Sequence, residues 1–147
     1  MEVALEEARA AFDEGEVPVG CVVVAGERIV GRGRNAVERL RDPTAHAEIL
    51  AIGAACRSLG VPRLTEAAIY VTMEPCAMCA GAIVQARLRR LVYGCPDPKA
   101  GYAGSLASVV DDPALNHRVA VTSGLMGNEC GALVSRFFER LRTGRTT

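Results

Sequence analysis

The sequence predicts an α/β fold in which helices pack against a sheet with parallel neighbouring strands. Residues 68–73 and 90–95 are rich in β-branched and aromatic side chains, which is typical of strands buried in a parallel sheet. Residues 76–86 lie between them and form an apolar helical segment. A strand, a helix and a strand in this order form a right-handed crossover between parallel neighbours. Amphipathic helical patterns at both ends of the chain complete the α/β assignment.

The first 34 residues predict a helix followed by a β-hairpin. Residues 1–13 have the periodicity of an amphipathic helix, which ends at Gly15. Its apolar face consists of Met1, Leu5, Ala8 and Phe12. Residues 18–24 and 28–34 form the two strands of the hairpin, and residues 25–27 supply the turn with a central glycine. Glycines in the second strand, Gly31 and Gly33, would allow a backbone or a ligand to approach closely.

A loop and a second helix follow the hairpin. Asn35 ends the second strand and opens a loop. Asp42-Pro43-Thr44 ends this loop and marks the start of a helix. Residues 45–56 are apolar on nearly every side, which predicts a helix buried within the domain. Its only polar side chains are His46 and Glu48, near its start. Because buried polar groups need partners, this pair indicates a site.

The remaining segments are an irregular loop and three further elements. Residues 96–105 contain two prolines and two glycines and predict a loop. We expect a short helix over residues 106–110, a last strand over 117–123, an amphipathic helix from Glu129 onward and a disordered tail at 143–147. The apolar face of the terminal helix comprises Cys130, Leu133, Val134, Phe137, Phe138 and Leu141.

Composition limits the class of protein. The chain has 147 residues, of which 50% are hydrophobic, so we expect residues 1–147 to form a single domain with a hydrophobic core. We expect a cytoplasmic protein, because there is neither a leader nor an apolar run of about 20 residues. The six cysteines are expected to form no structural disulfide. With 17 basic and 17 acidic residues the net charge is zero, so any contact with a polyanion must be local.

Three side chains predict a metal site. Cys76 and Cys79 are one helical turn apart and follow Pro75, which favours a first helical turn. Two thiolates at this spacing can bind one zinc ion, and His46 is the natural third ligand. Both helices would begin at the carboxyl edge of the sheet, where open α/β sheets bind ligands. Three ligands leave one corner of a tetrahedral zinc ion for a water, whose pKa zinc lowers to about 7.

Glu48 lies close to His46 in the sequence, and the predicted metal site has alternative interpretations. Glu48 lies about 200° round an ideal helix from His46, so joint zinc ligation is unfavourable while a proton-shuttling role stays open. Alone, a Cys-x-x-Cys pair also suits a structural zinc half-site or a redox pair, and a lone buried histidine usually belongs to the core. His117, the other histidine, could complete a closed site. The conjunction of the motifs favours a catalytic zinc.

The combination of His-x-Glu and Pro-Cys-x-x-Cys is the signature of zinc deaminases. Beyond it, the chain resembles the bacterial tRNA-specific adenosine deaminases nearly throughout. The matching blocks are residues 16–20, 42–48, 70–81, part of 101–106, 116–118 and 137–138. The resemblance implies a three-layer α/β/α cytidine deaminase-like fold whose mixed five-stranded sheet has the order 2-1-3-4-5. It also implies one Zn²⁺ per subunit, held by His46, Cys76 and Cys79, and a catalytic Glu48.

The implied reaction is hydrolytic deamination of adenosine to inosine at the wobble position of a tRNA anticodon, in an arginine tRNA. Glu48 would take a proton from water, deliver it to adenine N1 and help the amine leave as ammonia after hydroxide adds at C6. The resemblance further implies a homodimer that binds the anticodon stem-loop. The implied substrate contacts are Asn35, Ala47 through its backbone N–H, Asp97, Lys99, Asn116 and Phe137.

Two alternatives to this function stay open at the level of the sequence. A zinc deaminase of a free base or nucleoside, such as guanine or cytosine, would keep every metal residue. A zinc-stabilised RNA-binding module without catalysis would keep the metal but would not need Glu48. Basic side chains for an RNA partner are available in two groups, Arg87, Arg89 and Arg90, and Arg136, Arg140, Arg142 and Arg145.

Overall fold

A computed structural model describes residues 1–144 of the chain, and it contains a mixed five-stranded sheet between two layers of helices. The strands are β1 (Gly20–Ala25), β2 (Arg28–Arg34), β3 (Ala67–Met73), β4 (Arg90–Cys95) and β5 (Ala120–Ser123). The helices are α1 (Glu2–Asp13), α2 (Val37–Leu40), α3 (Ala47–Leu59), α4 (Ala77–Gln85) and α5 (Gly127–Arg142).

The strand order is β2-β1-β3-β4-β5, which confirms the predicted order. Strand β1 is antiparallel to both of its neighbours, whereas β3, β4 and β5 are parallel to one another. Consequently β2, β3, β4 and β5 share one direction, and their carboxyl ends lie at the same edge of the sheet. The predicted crossover through α4 between the parallel strands β3 and β4 is also confirmed.

The two faces of the sheet carry different helices. Helices α1 and α5 pack together on one face, where the Phe12 and Phe137 rings meet edge to face with centroids 5.9 Å apart. Helices α3 and α4 cover the other face, over a core that includes Val23, Ile69 and Leu91. Burying these apolar surfaces on both sides of the sheet is the main source of stability.

Helix α3 lies directly on β2 because two strand glycines permit a close approach. At Gly31 and Gly33, an added methyl group would meet the backbone of α3. The predicted close approach therefore involves the backbone of a helix and not a ligand. Since α3 begins at residue 47, this packing also fixes the position of the helix start.

Substituting Gly33 by alanine is expected to destabilise the protein and to displace the start of α3. The new methyl group would meet the Ala47 carbonyl oxygen and would lie 2.7 Å from the Ala51 nitrogen. We expect the free energy of unfolding to fall by at least about 2 kcal/mol, as for overpacked cores. Urea denaturation would measure it. As a control, Gly131→Ala in α5 meets only ordinary contact at 3.7 Å, and equal stability of the two variants would contradict this packing.

The observed bounds of the hairpin strands and of β4 agree closely with the predicted bounds. Strands β2 and β4 match them, while β1 begins two residues later than predicted. In the turn, Gly26 has a φ of 62°, the left-handed conformation that glycine adopts easily. The loop at residues 96–105 has no regular element, as predicted.

Other predictions were wrong in part. The loop after β2 contains the short helix α2, which the sequence did not predict. Helix α3 was expected to be buried on nearly every side, but it buries a single face because no further layer of the described chain covers it. The fully buried residues of α3 are Ala47, Glu48, Ala51 and Ala55. Pro75 precedes the N-cap Cys76 and does not lie in the first turn of α4.

The region between β4 and α5 shows the largest difference from prediction. Residues 106–110 form no helix, because their amides bond back to the preceding loop: Leu106 N–H to the Gly101 carbonyl at 2.9 Å and Val109 N–H to the Tyr102 carbonyl at 3.0 Å. Strand β5 begins at residue 120 and not at 117.

Helix α5 begins two residues earlier than predicted, and its apolar face is only partly covered. Phe138 and Leu141 are 39% and 44% exposed, because α1 and the sheet cover only the other side of α5. Thr143 and Gly144 form a turn after the helix, and the rest of the tail predicted to be disordered lies outside the described residues. Within residues 1–144, no helix is both long and apolar enough to cross a membrane.

Candidate active site

The three predicted metal ligands lie together at the carboxyl edge of the sheet. His46 is the N-cap of α3, Cys76 is the N-cap of α4, and Cys79 lies buried in the first turn of α4. The His46 Nδ1 atom is 3.6 Å from Cys76 Sγ and 3.5 Å from Cys79 Sγ. All three ligand atoms lie within 4.8 Å of one another. No fourth cysteine, histidine or carboxylate of residues 1–144 joins this cluster.

The cluster fits a zinc ion in both chemistry and spacing. Two sulfurs and one imidazole nitrogen are borderline-soft donors of the kind that zinc prefers. Around a tetrahedral zinc, bonds of about 2.3 Å to sulfur and about 2.0–2.1 Å to nitrogen place these atoms about 3.6 Å apart. The nitrogen–sulfur distances of 3.6 and 3.5 Å agree with that separation. The donor set is therefore suitable for one metal ion.

Protons are shared among the three ligands. A hydrogen bond with Cys79 lowers the pKa of Cys76 to about 3. The same hydrogen bond raises the pKa of Cys79 well above its ordinary value. Contact with Cys76 raises the pKa of His46. One thiolate is thus already favoured at neutral pH, and metal binding would have to displace the proton held by the other sulfur and any proton on the His46 Nδ1 atom.

Glu48 lies beside the cluster in the first turn of α3 and is only 4% exposed. Burial raises its pKa to about 7, and the adjacent His46 opposes that rise. The expected angular separation from His46 does not apply, because His46 has an extended backbone, with ψ of 154°, and precedes the helix. Both side chains therefore reach the same site. A carboxylate with a pKa of about 7 can accept and return a proton near neutral pH.

A pocket of about 500 Å³ opens above these residues. This volume lies within the range of small-molecule sites. His46, Ala47, Glu48 and Cys76 contribute to its lining. On one side the lining includes Asn35, Val37 and Glu38, on another Asp97 and Ala100, and from α5 it includes Phe137 and Leu141. The pocket thus joins the metal-ligand cluster to two loops and the terminal helix.

Four of the six predicted substrate contacts line this pocket. They are Asn35, Ala47, Asp97 and Phe137. Asn35 is largely buried, with 8% of its surface exposed. The Asp97 carboxylate accepts hydrogen bonds from the N–H groups of Lys99 and Ala100, each at 3.1 Å. Asn35 therefore borders the space that a ligand would occupy, whereas the Asp97 carboxylate also shapes its own loop.

The structure does not bring the other two predicted contacts into the pocket. Lys99 is exposed and does not line it. Asn116 is exposed and lies shortly before β5, at the opposite edge of the sheet from the metal-ligand cluster. At that edge, the His117 Nε2 atom is 2.6 Å from the Leu88 carbonyl oxygen, to which it donates. His117 therefore lies far from the cluster and does not complete it.

Two buried carboxylates border the pocket that the sequence did not predict as site residues. Glu16 is 1% exposed and Glu74 is 3% exposed. Burial raises the pKa of Glu74, but hydrogen bonds from Ser105, Asp97 and Ala103 outweigh it, so that the pKa lies below its ordinary value. The available signal was a charged residue beside an apolar segment: Glu16 precedes Val-Pro-Val-Gly, and Glu74 separates a buried strand from Pro75.

Comparisons with known proteins agree with this architecture. The family model of the MafB19-like deaminases matches residues 1–142. The tRNA-specific adenosine deaminase of Bacillus subtilis is 44% identical over 142 residues, which cover 97% of this chain and 88% of the relative. The tRNA-specific adenosine deaminase of Haemophilus influenzae is 46% identical over 143 residues, which cover 97% of this chain and 83% of the relative.

Solved structures of deaminases have the same fold as this chain. A structure from work on A-to-I editing by tRNA:A34 deaminases at the wobble position of transfer RNA is 47% identical, with a TM-score of 0.85, and the match covers 90% of this chain and 96% of the other. A guanine deaminase from Bacillus subtilis is 31% identical, with a TM-score of 0.64, over 97% of this chain and 90% of the other.

Proposed function

We propose a specific reaction for this chain, which belongs to the bacterial tRNA-specific adenosine deaminases: hydrolytic conversion of adenosine to inosine at the wobble position of a tRNA anticodon. That the chain is a deaminase enzyme follows from its relatives. The wobble position is supported by the likeness to the tRNA:A34 deaminase structure. An arginine tRNA as substrate rests on the family resemblance of the sequence.

The observation that carries the proposal is a buried proton acceptor beside a three-ligand metal cluster at the base of an open pocket. Glu48 supplies the acceptor, and His46, Cys76 and Cys79 supply the ligands. We propose that these ligands hold one Zn²⁺ per subunit. When bound, zinc lowers the pKa of a water molecule to about 7, which makes a nucleophile available at neutral pH.

The protein's own groups would orient the base and move the protons. The amide of Asn35, which borders the pocket, can hydrogen-bond the nucleoside. The N–H of Ala47, in the first turn of α3, can donate a hydrogen bond to an acceptor atom of the base, because helix N-termini carry unpaired N–H groups. The Glu48 carboxylate takes one proton from water and delivers it to adenine N1. The water oxygen bonds to C6, and a second proton moves from the new C6 hydroxyl to the exocyclic nitrogen. The C6–N bond then breaks and releases ammonia, so adenosine and water give inosine and ammonia.

The RNA partner is supported by the character of the pocket rim. The chain has no net charge, so attraction to RNA must come from a local surface. On α5, the guanidinium groups of Arg136 and Arg140 lie 5.4 and 4.7 Å from the centroid of the Phe12 ring. These cations lie on the helix that contributes Phe137 to the pocket. An anticodon loop, whose bases can be splayed out, suits such a combination of cationic and apolar surface.

We also propose that residues 1–147 act as one deaminase domain within a cytoplasmic homodimer. Part of the apolar surface of α3 and α4 is uncovered in one subunit, and Met78 is 36% exposed. Asn116 lies at the edge of the sheet opposite the cluster of its own chain. It would therefore contact RNA bound mainly by the other subunit. Sedimentation equilibrium tests the dimer.

Deamination of a free purine is the second candidate, because a guanine deaminase shares this fold at 31% identity. Purified protein should be incubated separately with an anticodon stem-loop carrying adenosine at the wobble position, with guanine and with cytidine. We expect inosine and ammonia from the stem-loop, and rates at least about 100-fold lower with the free compounds, because these lack the remote contacts that supply binding energy. Faster release of ammonia from guanine would establish the rival function.

A further inference from the structure

We propose that Glu16 and Glu74 are positioning residues that fix the two loops on either side of the pocket, and so set the gap into which the target base must fit. This inference rests on the proposed active site. Neither residue is a metal ligand. Both are buried carboxylates whose oxygens receive N–H groups from the loops that line the pocket.

Glu16 anchors the first loop. One of its oxygens accepts the N–H of Glu38 at 3.0 Å and the other accepts the N–H of Arg39 at 2.7 Å. These are amides of the short helix α2, whose N-cap Ala36 offers no side-chain acceptor. The helix continues directly from the loop segment in which Asn35 lines the pocket. The Arg39 guanidinium lies 3.9 Å from Glu14 instead, so the charge of Glu16 is balanced by backbone amides.

Glu74 anchors the second loop with more bonds. Its carboxylate accepts the N–H groups of Asp97 at 3.0 Å, Ala103 at 3.1 Å and Ser105 at 2.9 Å, together with the Ser105 hydroxyl. The loop wraps closely round it, since a methyl group added at Gly101 would collide with the carboxylate. This loop contributes Asp97 and Ala100 to the pocket lining.

The chemistry explains why these positions hold carboxylates. A buried carboxylate is unfavourable unless several hydrogen-bond donors satisfy it. Within residues 1–144, Glu16 and Glu74 have no cationic partner, so the backbone N–H groups of the two loops must supply these donors, and in turn they gain an acceptor. A carboxylate is also an acceptor at both oxygens, whereas an amide presents N–H on one side. Glutamine at position 16 would therefore oppose one backbone N–H with another. Glutamine at position 74 would have the same effect on the second loop. Each loop would lose a charge-assisted hydrogen bond, and the pocket wall that it forms would no longer be held in a fixed position.

A purely structural role would give a different result from a positioning role. If the two carboxylates only stabilise the fold, their variants will lower Tm while KM for RNA remains unchanged in the folded fraction. If they position the walls, each variant will alter substrate binding at temperatures where it is fully folded. Each will also loosen only its own loop, because the two anchors share no donor.

The experiment compares E16Q and E74Q with wild type and with the control E66Q, whose side chain is 85% exposed beside Arg89 at the opposite edge. Amide hydrogen exchange followed by NMR reports the anchors directly. We expect E16Q to speed exchange at Glu38 and Arg39 selectively, and E74Q at Ala103 and Ser105, by about tenfold or more for each lost bond. Zinc content is measured alongside and is expected to stay at the wild-type level.

Steady-state kinetics with the anticodon stem-loop complete the test. We expect KM to rise about tenfold in E16Q and in E74Q, with a smaller change in kcat and no change in E66Q. Unchanged KM in both variants of an active enzyme would overturn the positioning role and leave the proposed function intact. An inactive wild type would overturn both. If E74Q does not fold, S105A removes one donor from the same loop and should raise KM in the same direction.

Discussion

Replacing Glu48 by glutamine is expected to reduce the kcat for inosine formation by about 100- to 10,000-fold, the range of general acid–base catalysis. Glutamine has nearly the same shape but cannot accept a proton from water or return it to adenine N1. Glu48 is only 4% exposed and its pKa is raised to about 7 by burial, so its proton affinity matches this task near neutral pH. The rate is measured in single-turnover experiments with an anticodon stem-loop.

The same variant separates catalysis from binding. Glu48 is not one of the three metal ligands, so zinc content and RNA affinity should remain at the wild-type level. The control is E66Q, which changes a carboxylate at the opposite edge of the sheet and should retain full activity. If Glu48→Gln keeps the wild-type rate, Glu48 is not the proton carrier. If wild type binds zinc and RNA but forms no inosine, a zinc-stabilised RNA-binding module becomes the better description.

Replacing Cys79 by alanine is expected to abolish both metal binding and activity. Cys79 is buried, and its sulfur is 3.5 Å from the His46 nitrogen, so its removal takes one of three donors from the cluster. We expect affinity for zinc to fall by more than about 100-fold, the upper end of the loss produced by altering groups that only support ligands. Bound zinc, measured by mass spectrometry of the dialysed protein, should fall from one per subunit to near zero.

The matched control is Cys56→Ala, which removes a half-buried cysteine of α3 that lies outside the cluster. Thermal unfolding with and without a chelator adds a second readout. Because zinc binds only the folded cluster, wild type and Cys56→Ala should lose about 3 kcal/mol or more of stability on chelation, whereas Cys79→Ala should lose none. Full zinc occupancy in Cys79→Ala would mean that the ion is held elsewhere.

Local patterns in the sequence were sufficient to predict much of the fold. Strands β2 and β4 have their predicted bounds because turn residues lie next to them, Gly26 and Asn35 beside β2 and Pro96 after β4. The metal ligands could be predicted because their spacing along the chain is itself a local property: His46 precedes one helix, and Cys76 and Cys79 begin another. The order of the strands was available only through the resemblance to a family.

Contacts between distant segments account for the predictions that were wrong. The short helix expected at residues 106–110 is absent because those amides bond to a loop that Glu74, about thirty residues earlier in the chain, holds in place. Helix α2 exists because Glu16 accepts its first amides, and nothing near residue 37 indicates this. The position of Asn116 also depends on distant pairing, because the parallel alignment of β5 with β4 places the start of β5 at the amino edge of the sheet, and its contact with RNA stays a prediction.

X-ray absorption at the zinc edge, on protein loaded with one zinc per subunit, tests whether three protein ligands hold the ion and leave one coordination position open. We expect two sulfur neighbours at about 2.3 Å, one imidazole nitrogen and one further light atom at about 2.0–2.1 Å. We also expect Glu48→Gln to leave this spectrum unchanged. A shell with three or four sulfurs, or with a second imidazole, would contradict an open catalytic position, and so would the absence of stoichiometric zinc in the active enzyme.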